Sequence, residues 1–466
     1  MSLLLALTAR LIACLAILQF TTAYIVTHNL TGDIPSSAVM NFVYAPFPAP
    51  QQQHRSRHLL STRNLPISAF NGSGSRGWSG GFRKNFTIAL GGATPGYNAG
   101  PLEVGEWNVV LGPYVVEAAG VDWSVNVEVT YAKAEGDGMD WEGVEYWRPT
   151  LGQSSDMEGA VRESEEQWLR GDFHMHSIYS DGRYLPSEQM ENAVKKGLDF
   201  IFFSEHNTDS GSNEIGRWRP EGAEELLVGR AIEVTTRHGH WQAIGLDRGQ
   251  QVEWRYTNET DGFAQAADGV RQSGALVSIN HPYASCSRCD WTLDWDHHDA
   301  IEVWNGRWSP LNELAVRRWQ DELVAGKKTV AIGGSDAHHP PEQNGLPTTV
   351  VRTSVKSQAG IVQGVREGGV YLVEGPGMEL EFSVLVDGIE YDIGRTAPTG
   401  SGTAVLAARG FLDAIACFVT DTGYVKNQSL TEDPVRYEVD DSRFIRVEVR
   451  NSSDVLLGLA NPVFFE

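Results

Sequence analysis

The sequence predicts an α/β protein in which a barrel of βα units is flanked by N-terminal and C-terminal β-sandwich domains. Between residues 168 and 377, apolar strand-like runs alternate with helical segments, which is typical of a parallel βα barrel. On either side, at 82–134 and 378–466, short strand-like runs are separated by Gly, Pro and Asn, which is typical of β-sandwiches. A chain of 466 residues is also too long for one ordinary core, so two or three domains are expected.

Composition describes a globular protein with an acidic surface. Hydrophobic residues make up 41% of the chain and aromatic residues 10%, which is sufficient for packed cores. The net charge of -23 repels polyanions unless bound cations or a local basic patch reverse the field. We therefore expect a small-molecule substrate and no nucleic-acid partner, while the oligomeric state is left open.

The N-terminus has the pattern of an export signal. Leu3 to Phe20 is almost entirely apolar, and Thr21-Thr22-Ala23 provides a small-residue cleavage site, so residues 1–23 are predicted to be a signal peptide. The alternative is a signal anchor, which Arg10 disfavours because it interrupts the apolar run. No later segment could span a bilayer, so we expect secretion without stable membrane insertion. Sequons for N-glycosylation fit this route and occur at Asn29, Asn71, Asn85, Asn258, Asn427 and Asn451.

Two segments between the predicted domains lack regular periodicity. Residues 24–81 contain a Pro-, Gln- and Arg-rich stretch and are expected to form a mobile leader, and the acidic residues 135–167 to form a linker. The pair Cys286 and Cys289 favours a local disulfide or two thiols, because a zinc site would need a second pair. Cys417 lies in the apolar run "AIACFV" and is expected to be buried.

The βα units are recognisable one by one. Ser187 can cap a helix that ends near Gly197, and "LDFIFFSEH" follows as a buried strand. The same order recurs with helices at 263–272, 310–325 and 358–366, which lead into "ALVSINHP", "TVAIGGSDAHH" and "GGVYLVEG".

Polar side chains that can bind metal recur where these strands end. Ten of the thirteen histidines lie between His174 and His339. The carboxyl ends of the strands of a parallel barrel open on one face, so residues distant in sequence can meet there. A single histidine at such a position is more often a satisfied polar residue than a ligand. Nine residues at this position favour a metal site: His174, His176, Asp181, His206, Glu233, His240, His281, Asp336 and His338.

These residue types indicate a cluster of ions rather than one ion. His174 and His176 are two residues apart, so their side chains point to the same side of a strand, and Asp336 and His338 repeat this spacing. Imidazole suits Zn, Mn and Fe, and a carboxylate can bridge two ions. Nine ligands exceed the needs of one tetrahedral site, so we expect two or three divalent transition metals.

The same motifs resemble a known family. "DFHMHSIYSDG", "FFSEHNT", "IEVTTRHGHW", "INHP" and "GGSDAHH" occur in the order expected of the PHP (polymerase and histidinol phosphatase) metallohydrolases. The chain looks most like their secreted, carbaryl-hydrolase-like subgroup, in which β domains flank the barrel. The resemblance implies a distorted (β/α)7 barrel with three metal ions.

The resemblance also implies which residues share an ion. His174 and His176 would hold the first ion with Glu233 and Asp336. Glu233 would bridge to a second ion held by His281 and His240. The third ion would be held by Asp181, His206 and His338.

Three points of this assignment stay open. The second motif reads Ser-Glu-His where the family more usually has Thr-Asp-His, so Glu205 could alter the surroundings of His206. His238 lies beside His240, and His339 lies beside His338. Only spacing favours His240 and His338 as the ligands. Residues just past the motifs are candidates for substrate contact, with loop hydrogen bonding as the alternative: Arg183, Asn207, Glu302 and Asn305. Glu302 could instead orient a ligand.

Hydrolysis is the reaction class that such a cluster favours. A water that bridges two divalent cations can lose a proton near neutral pH and act as a hydroxide nucleophile. Here Glu233 and Asp336 are expected to hold this metal-bridging hydroxide. Phosphate esters are the leading substrates, because three cations match a dianion. The alternatives are a carbamate, ester or amide hydrolase and, from another class, a glycan-binding module on an inactive barrel.

Overall fold

The structure is a computed structural model, and it describes residues 24–38, 41–49, 67–71, 74–89, 91–100, 102–113, 116–131, 163–214, 219–286 and 288–466. The chain divides into two compact units, Met1–Trp147 and Arg148–Glu466. The predicted signal peptide and Cys14 lie outside the described residues. The described part is mostly sheet with few helices, which agrees with the predicted α/β class.

In the described residues of the first unit the regular elements are strands, apart from a 3₁₀ turn at Ser36–Ala38. β1 pairs with β8, and a four-stranded sheet has the order β2-β7-β3-β4. The strands are β1 Tyr24–Ile34, β2 Val43–Ala49, β3 Ile67–Asn71, β4 Gly74–Gly80, β5 Ile88–Ala89, β6 Gly92–Ala93, β7 Gly105–Leu111 and β8 Val121–Tyr131.

Four of these strands lie in the segment 24–81, which was expected to be a mobile leader. That prediction is wrong for the described part of the segment. β1 pairs with β8 along its whole length, and Ile34, Ala45 and Phe47 are buried in one apolar cluster with residues of β7 and β8. Apolar burial and backbone pairing offset the loss of chain entropy here, which the polar composition of the neighbouring residues concealed.

The second unit begins with the predicted βα units. All four helices expected from sequence are present within two residues of their predicted ends. The described helices are α1 Pro186–Lys195, α2 Ser210–Glu214, α3 Gly262–Gln272, α4 Pro310–Val324 and α5 Gln358–Arg366. The strands are β9 Glu163–Asp172, β10 Phe200–Phe203, β11 Leu227–Thr236, β12 Gly239–Ile244, β13 Leu276–Asn280, β14 Ala300–Asn305, β15 Val330–Gly334, β16 Thr348–Val355 and β17 Val370–Val373.

Ten further strands follow in the last part of the chain, after the predicted boundary at residue 377. They are β18 Glu379–Val386, β19 Ile389–Asp392, β20 Thr396–Ala397, β21 Gly402–Arg409, β22 Ala414–Thr420, β23 Gly423–Ser429, β24 Val435–Val439, β25 Phe444–Asn451, β26 Leu456–Ala460 and β27 Val463–Phe465.

The strands that carry the metal-binding motifs form an open, curved sheet. Its order is β15-β14-β13-β12-β11-β10-β9-β16-β17-β26-β25-β22-β23, with β20 and β27 beside this path. The residues that follow β9 and β15 lie close together. Met175, just past β9, forms an isolated parallel bridge with Ala337, just past β15.

The described strands do not pair into a closed ring, so the distorted (β/α)7 barrel that the resemblance implies is not confirmed. The free edge of β15 is occupied by side chains instead of a strand. The Thr349 hydroxyl donates to the Gly333 carbonyl at 2.7 Å and accepts from its N–H at 3.1 Å. The Asn461 amide bonds both backbone groups of Ala331, at 2.8 and 2.9 Å. The backbone groups of β15 are therefore satisfied without a neighbouring ladder on that side.

The sheet also departs from parallel pairing at one central place. β12 runs antiparallel to both β11 and β13. The sequence "VTTRHGHW" makes this a hairpin, with Gly239 at a φ of +109°, where an L side chain would be strained.

Four of the ten C-terminal strands form a second layer on the main sheet. β19-β18-β21-β24 make a four-stranded sheet whose apolar side chains share one buried cluster with Val350 of β16 and with Tyr371 and Val373 of β17. The predicted boundary at 377/378 and the two β-sandwiches stay predictions. The last residues of the predicted linker, from Glu163 onward, belong to β9.

Two smaller expectations concern the cysteines and membrane insertion. Cys286 and Cys289 form a disulfide, and Cys417 is a buried free thiol. None of the described helices has both the length and the apolarity needed to cross a bilayer.

Candidate metal centre

Most of the predicted ligands sit at or just past the carboxyl ends of neighbouring strands. His174 and His176 follow β9, and His206 follows β10. Glu233 lies within β11 and His240 near the amino end of β12, opposite Thr235, so the two side chains are diagonal neighbours across the β11–β12 hairpin. His281 follows β13, and the loop after β15 contributes its Asp-x-His pair. Bridges between loop residues hold these ends together, since His206 pairs with Glu233 and Met175 with Ala337.

The structure brings all nine predicted ligands into one cluster. Within each of four overlapping groups, one ligand atom per residue lies within 4.8 Å of the others. The groups are His176, Asp181, His206 and His338; His174, His281 and Asp336; His174, His176 and Glu233; and His206, Glu233 and His240. His176 thus joins the residues expected at the third ion, and His240 lies with His206 as well as with Glu233.

Glu233 is the centre of the cluster and is 1% exposed. Its Oε2 atom lies 2.9 Å from His206 Nδ1 and 3.3 Å from His176 Nε2. Its Oε1 atom lies 3.1 Å from His240 Nδ1 and 3.0 Å from His281 Nε2. Burial alone raises the pKa of this carboxyl, but the surrounding imidazoles outweigh burial and hold the pKa well below its usual range. Glu233 is therefore ionised and can bridge two cations.

The second carboxylate of the cluster is Asp181. Its Oδ1 atom lies 3.4 Å from His206 Nε2 and 3.3 Å from His338 Nε2. Burial raises the pKa of Asp181, but His206 and His338 outweigh it and lower the pKa. Burial lowers the pKa of His338, but Asp336 and Asp181 outweigh it and raise the pKa to about 9.

The donor set fits bound cations. His174 Nδ1 lies 2.8 Å from Glu302 Oε1. A carboxylate only accepts, so Nδ1 carries the proton. In the neutral ring His174 Nε2 is then an acceptor, yet it faces Glu233 Oε2 at 3.4 Å and Asp336 Oδ1 at 3.2 Å. These acceptors need a positive charge beside them, which an added proton supplies in the metal-free protein and a bound metal ion would supply in its place. Neutral imidazole with carboxylate is a donor set suited to Zn, Mn or Fe.

Other buried polar residues hold the ligands in place. The second oxygen of Glu302 accepts the backbone N–H of His281 at 3.0 Å. The side-chain amide of Asn305 donates to Glu302 at 3.1 Å and to Asp336 at 3.3 Å. Both were candidates for substrate contact, but their side chains are engaged in orienting ligands. Glu302 and Asn305 therefore hold His174, His281 and Asp336 in place. The carboxylate of Glu302 on the His174 ring also raises the basicity of that imidazole.

Asn207 and Arg183, the other two substrate candidates, differ in position. The Asn207 amide forms two hydrogen bonds with the backbone of Thr235, at 2.9 and 3.0 Å, so its polar atoms are occupied within the fold. The Arg183 side chain is exposed, and its backbone N–H donates to the His338 carbonyl at 2.7 Å. Of the four candidates, Arg183 alone keeps an exposed side chain beside a ligand, and substrate contact stays a prediction for it.

The two ambiguous histidine pairs separate clearly by position. His238 Nδ1 lies 3.1 Å from the Thr292 hydroxyl, and His339 Nε2 lies 3.7 Å from Glu342 on the surface. Neither belongs to any of the four described groups that could hold a metal ion, whereas His240 and His338 do.

Sequence reasoning missed the contacts of two buried carboxylates. Asp172, directly before the first motif, accepts backbone N–H groups of His174, Ser335 and Gly345 at 2.7 to 3.0 Å, and so joins three loops of the site. Its position in "GDFHMH" is the only signal the sequence offers. Glu205 was noticed as an unusual residue next to His206, but its side chain points instead to the first motif, where it accepts from Ser177 and Ser180.

Comparisons with known proteins give partial similarities. No family model matches the chain. An uncharacterized protein of Methanocaldococcus jannaschii is 25% identical over 170 residues, which cover 33% of this chain and 94% of that protein.

Three solved structures are similar to parts of the chain. A two-domain protein of Bacteroides vulgatus with a predicted PHP-like metal-dependent phosphoesterase is 19% identical, covers 66% of this chain and 98% of its own, and has a TM-score of 0.39. A metal-dependent phosphoesterase candidate of Bifidobacterium adolescentis is 20% identical, covers 37% and 90%, and has a TM-score of 0.28. An amidohydrolase of Chromobacterium violaceum with bound sulfate is 15% identical, covers 37% and 89%, and has a TM-score of 0.27. At these TM-scores overall similarity is low, and function is inferred from the site residues.

Proposed function

We propose that the chain is a metal-dependent hydrolase of the PHP type and that phosphate esters are its preferred substrates. The observation that carries this proposal is the convergence of six imidazoles and three carboxylates around the buried Glu233. Burying so many ionisable groups costs free energy unless a cation compensates them, and such a cost is typical of functional sites.

The residues of the site divide the work between binding and orientation. Bound divalent ions would supply a water of lowered pKa and positive charge for the substrate. Glu233 would bridge ions, with imidazoles on both of its oxygens. Glu302 holds the proton of His174 on Nδ1, which leaves Nε2 free to bind. Asn305 fixes one oxygen of Asp336 and leaves the other directed at His174 and His176.

The charge of the chain supports an anionic substrate only with metals present. The net charge of -23 repels phosphate esters, so the local field must be inverted at the site. Two or three divalent ions achieve this, and they leave positive charge for phosphate oxygens after the three carboxylates are neutralised.

Turnover of a substrate panel tests the reaction class. Phosphomonoesters, phosphodiesters, aryl carbamates, esters and amides are each assayed with Mn or Zn and with chelator. We expect chelator-sensitive turnover that is fastest on a phosphate ester. Fastest turnover of a carbamate, ester or amide would favour the alternative hydrolase, and the absence of chelator-sensitive turnover on every substrate would exclude both.

Metal content tests the centre itself. Changing His174 and His176 together to Ala should remove at least one ion per chain, because each of the two belongs to two of the four groups. The matched control changes His238 and His339 together to Ala, since each lies next to a ligand in sequence but outside the cluster. We expect elemental analysis to find more than one transition metal in wild type and in the control. A full metal load in the His174/His176 variant would contradict the assignment.

We also propose that the protein is secreted. The apolar segment before Tyr24, the disulfide between Cys286 and Cys289 and the exposed sequons at Asn29, Asn85 and Asn258 support this proposal. Expression in a eukaryotic host should give a glycosylated protein in the medium, with an N-terminus near Tyr24. Retention of the whole protein in the cell with an intact N-terminus would contradict it.

A further inference from the structure

Glu205 is a fully buried carboxylate, and it is not a member of the four groups that could hold a metal ion. One oxygen accepts from the backbone N–H of Ser177 at 3.0 Å and from the Ser177 hydroxyl. The other accepts from the hydroxyl of Ser180. The Ser180 oxygen in turn lies 3.3 Å from Nδ1 of His176. A chain of contacts therefore runs from Glu205 through Ser180 to one nitrogen of a predicted ligand.

The number of protons in this chain decides which nitrogen of His176 is protonated. Ser180 has one hydroxyl proton, and the hydroxyl donates to a carboxylate oxygen of Glu205, so this proton is directed at Glu205. The Ser180 oxygen can then only accept from His176, which requires the imidazole proton to be on Nδ1. Nε2 is left with its lone pair, and it faces Glu233 Oε2 at 3.3 Å and Asp336 Oδ1 at 3.2 Å.

We propose that Glu205, acting through Ser180, holds the proton of His176 on Nδ1 and so keeps Nε2 available for a metal ion. Glu205 is then a positioning residue, and this inference rests on the proposed metal-dependent function. The two histidines of the first motif would be oriented by the same means, because His174 contacts the carboxylate of Glu302 directly and His176 contacts Glu205 through a hydroxyl.

The local structure is shaped around this side chain. A Cβ on Gly211 would lie 3.1 Å from Glu205 Cγ, so the glycine leaves the space that the glutamate occupies. The Ser177 hydroxyl also accepts the Tyr179 N–H at 3.2 Å, which fixes the turn that brings Ser180 to the carboxylate. The relay is therefore built from adjacent turns of the first and second motifs.

The protonated nitrogen can be observed without any metal. In the metal-free full chain with ¹⁵N-labelled histidines, a pH series of NMR spectra identifies the neutral form of His176, which is assigned by its absence in His176→Gln. We expect the neutral ring to carry its proton on Nδ1 in wild type. In Glu205→Gln the carboxamide can donate to Ser180, so we expect the proton to move to Nε2. A wild-type proton on Nε2 would overturn the proposal.

Metal affinity gives a second readout, measured by competition with a chelator. Glu205→Gln and Ser180→Ala should each weaken binding of Mn or Zn by about 10- to 100-fold. Ser177→Ala should weaken it less, because Ser177 contacts Glu205 but not His176. The matched control is Glu322→Gln, another buried glutamate bonded to a hydroxyl and an imidazole but outside the cluster. Unchanged affinity in both Glu205→Gln and Ser180→Ala would contradict the proposal.

Failure of this inference and failure of the proposed function are distinguishable. If wild type binds no Mn or Zn, the metal-dependent function fails, while the position of the proton on His176 still decides the inference. If Glu205→Gln does not fold, Ser180→Ala removes the same relay and keeps both the buried Glu205 side chain and its contacts with Ser177.

Discussion

At the scale of single residues, the position of His174 depends on a glycine. Gly334 ends β15, and a Cβ there would lie 2.3 Å from the Cβ of His174 and 2.8 Å from Glu302 Oε1. Two ligands nearby also adopt left-handed backbone conformations, with φ of +26° at His281 and +52° at Asp336. Such conformations are costly for residues other than glycine and occur mainly where surrounding structure enforces them at functional sites.

Gly334→Ala should displace His174 and weaken metal binding. The new methyl group would push His174 from Glu302, so we expect at least a tenfold loss of Mn or Zn affinity and a stability cost of about 1 to 3 kcal/mol. Gly269→Ala is the matched control, since Gly269 lies in α3 with open space around its Cβ position. It should keep full affinity and gain about 0.5 to 1 kcal/mol in stability. Chelator competition and urea denaturation measure both effects, and unchanged affinity in Gly334→Ala would show that the site can adapt.

At the scale of elements, α4 contributes a buried ionic cluster. Ser309 and Pro310 begin this helix, and Glu322 near its end is 2% exposed. Its carboxylate accepts from Thr329 at 2.7 Å and from Arg318 at 2.8 Å, and lies 2.9 Å from His298. Lys327 approaches it at 3.8 Å. The contact of His298 with Glu322 therefore connects the loop before β14 to α4, and neither residue belongs to the metal cluster.

Acid should weaken the protein partly through Glu322. Burial raises the pKa of this carboxyl, but its bonds to His298, Thr329 and Arg318 outweigh burial and lower the pKa from 4.5 to about 2. A carboxyl group whose pKa is lower in the folded state than in the unfolded state contributes its full stabilisation of the fold at pH values above the unfolded-state pKa. Its contribution is then lost as the pH falls from about 4.5 towards about 2.

Glu322→Gln should therefore reduce the free energy of unfolding at neutral pH, by about 2 to 3 kcal/mol. The difference from wild type should shrink as the pH falls through this window. Asp321→Asn, an exposed neighbour on the same helix, should stay within about 0.5 kcal/mol of wild type at every pH. Urea denaturation measured as a pH series checks this, and a difference that does not depend on pH would contradict the role of ionised Glu322.

Elements and ligands were predictable from sequence to different degrees. The helices were predicted because their apolar residues recur at helical spacing. The convergence of the nine candidate ligands was predicted because residues at strand ends share one face of a sheet. The contact of Glu205 with Ser180 could not be predicted, because the residues are 25 positions apart and meet only through β9 and β10. The β11–β12 hairpin was missed because the polar run around Gly239 has the composition of a loop.

At the scale of the whole molecule, the main sheet continues past the predicted boundary at residue 377. β17 pairs with β26, where Tyr371 lies opposite Ala460. Asn461, from the end of the chain, fills the free edge of β15. Sequence patterns show where strands lie but not which strands pair across long separations, so the separate sandwich and closed barrel were natural but incomplete expectations.

This continuity predicts that the metal-binding part does not fold without the C-terminal strands. A chain of residues 148–377 would expose β17, the apolar side chains of Val350, Tyr371 and Val373, and the edge of β15. Unpaired edges and uncovered apolar surface favour aggregation, so we expect this chain to be insoluble.

The matched control is a chain of residues 148–466, which retains one whole compact unit and should be soluble with the metal content of the full protein. Soluble yield, circular dichroism and elemental analysis compare the two. If residues 148–377 instead gave a folded, fully metallated protein, the boundary at 377/378 would separate two independent domains, as the sequence predicts. The single buried cluster shared by β16, β17 and β18 favours the first outcome, because removing one side of a core leaves the other exposed to water.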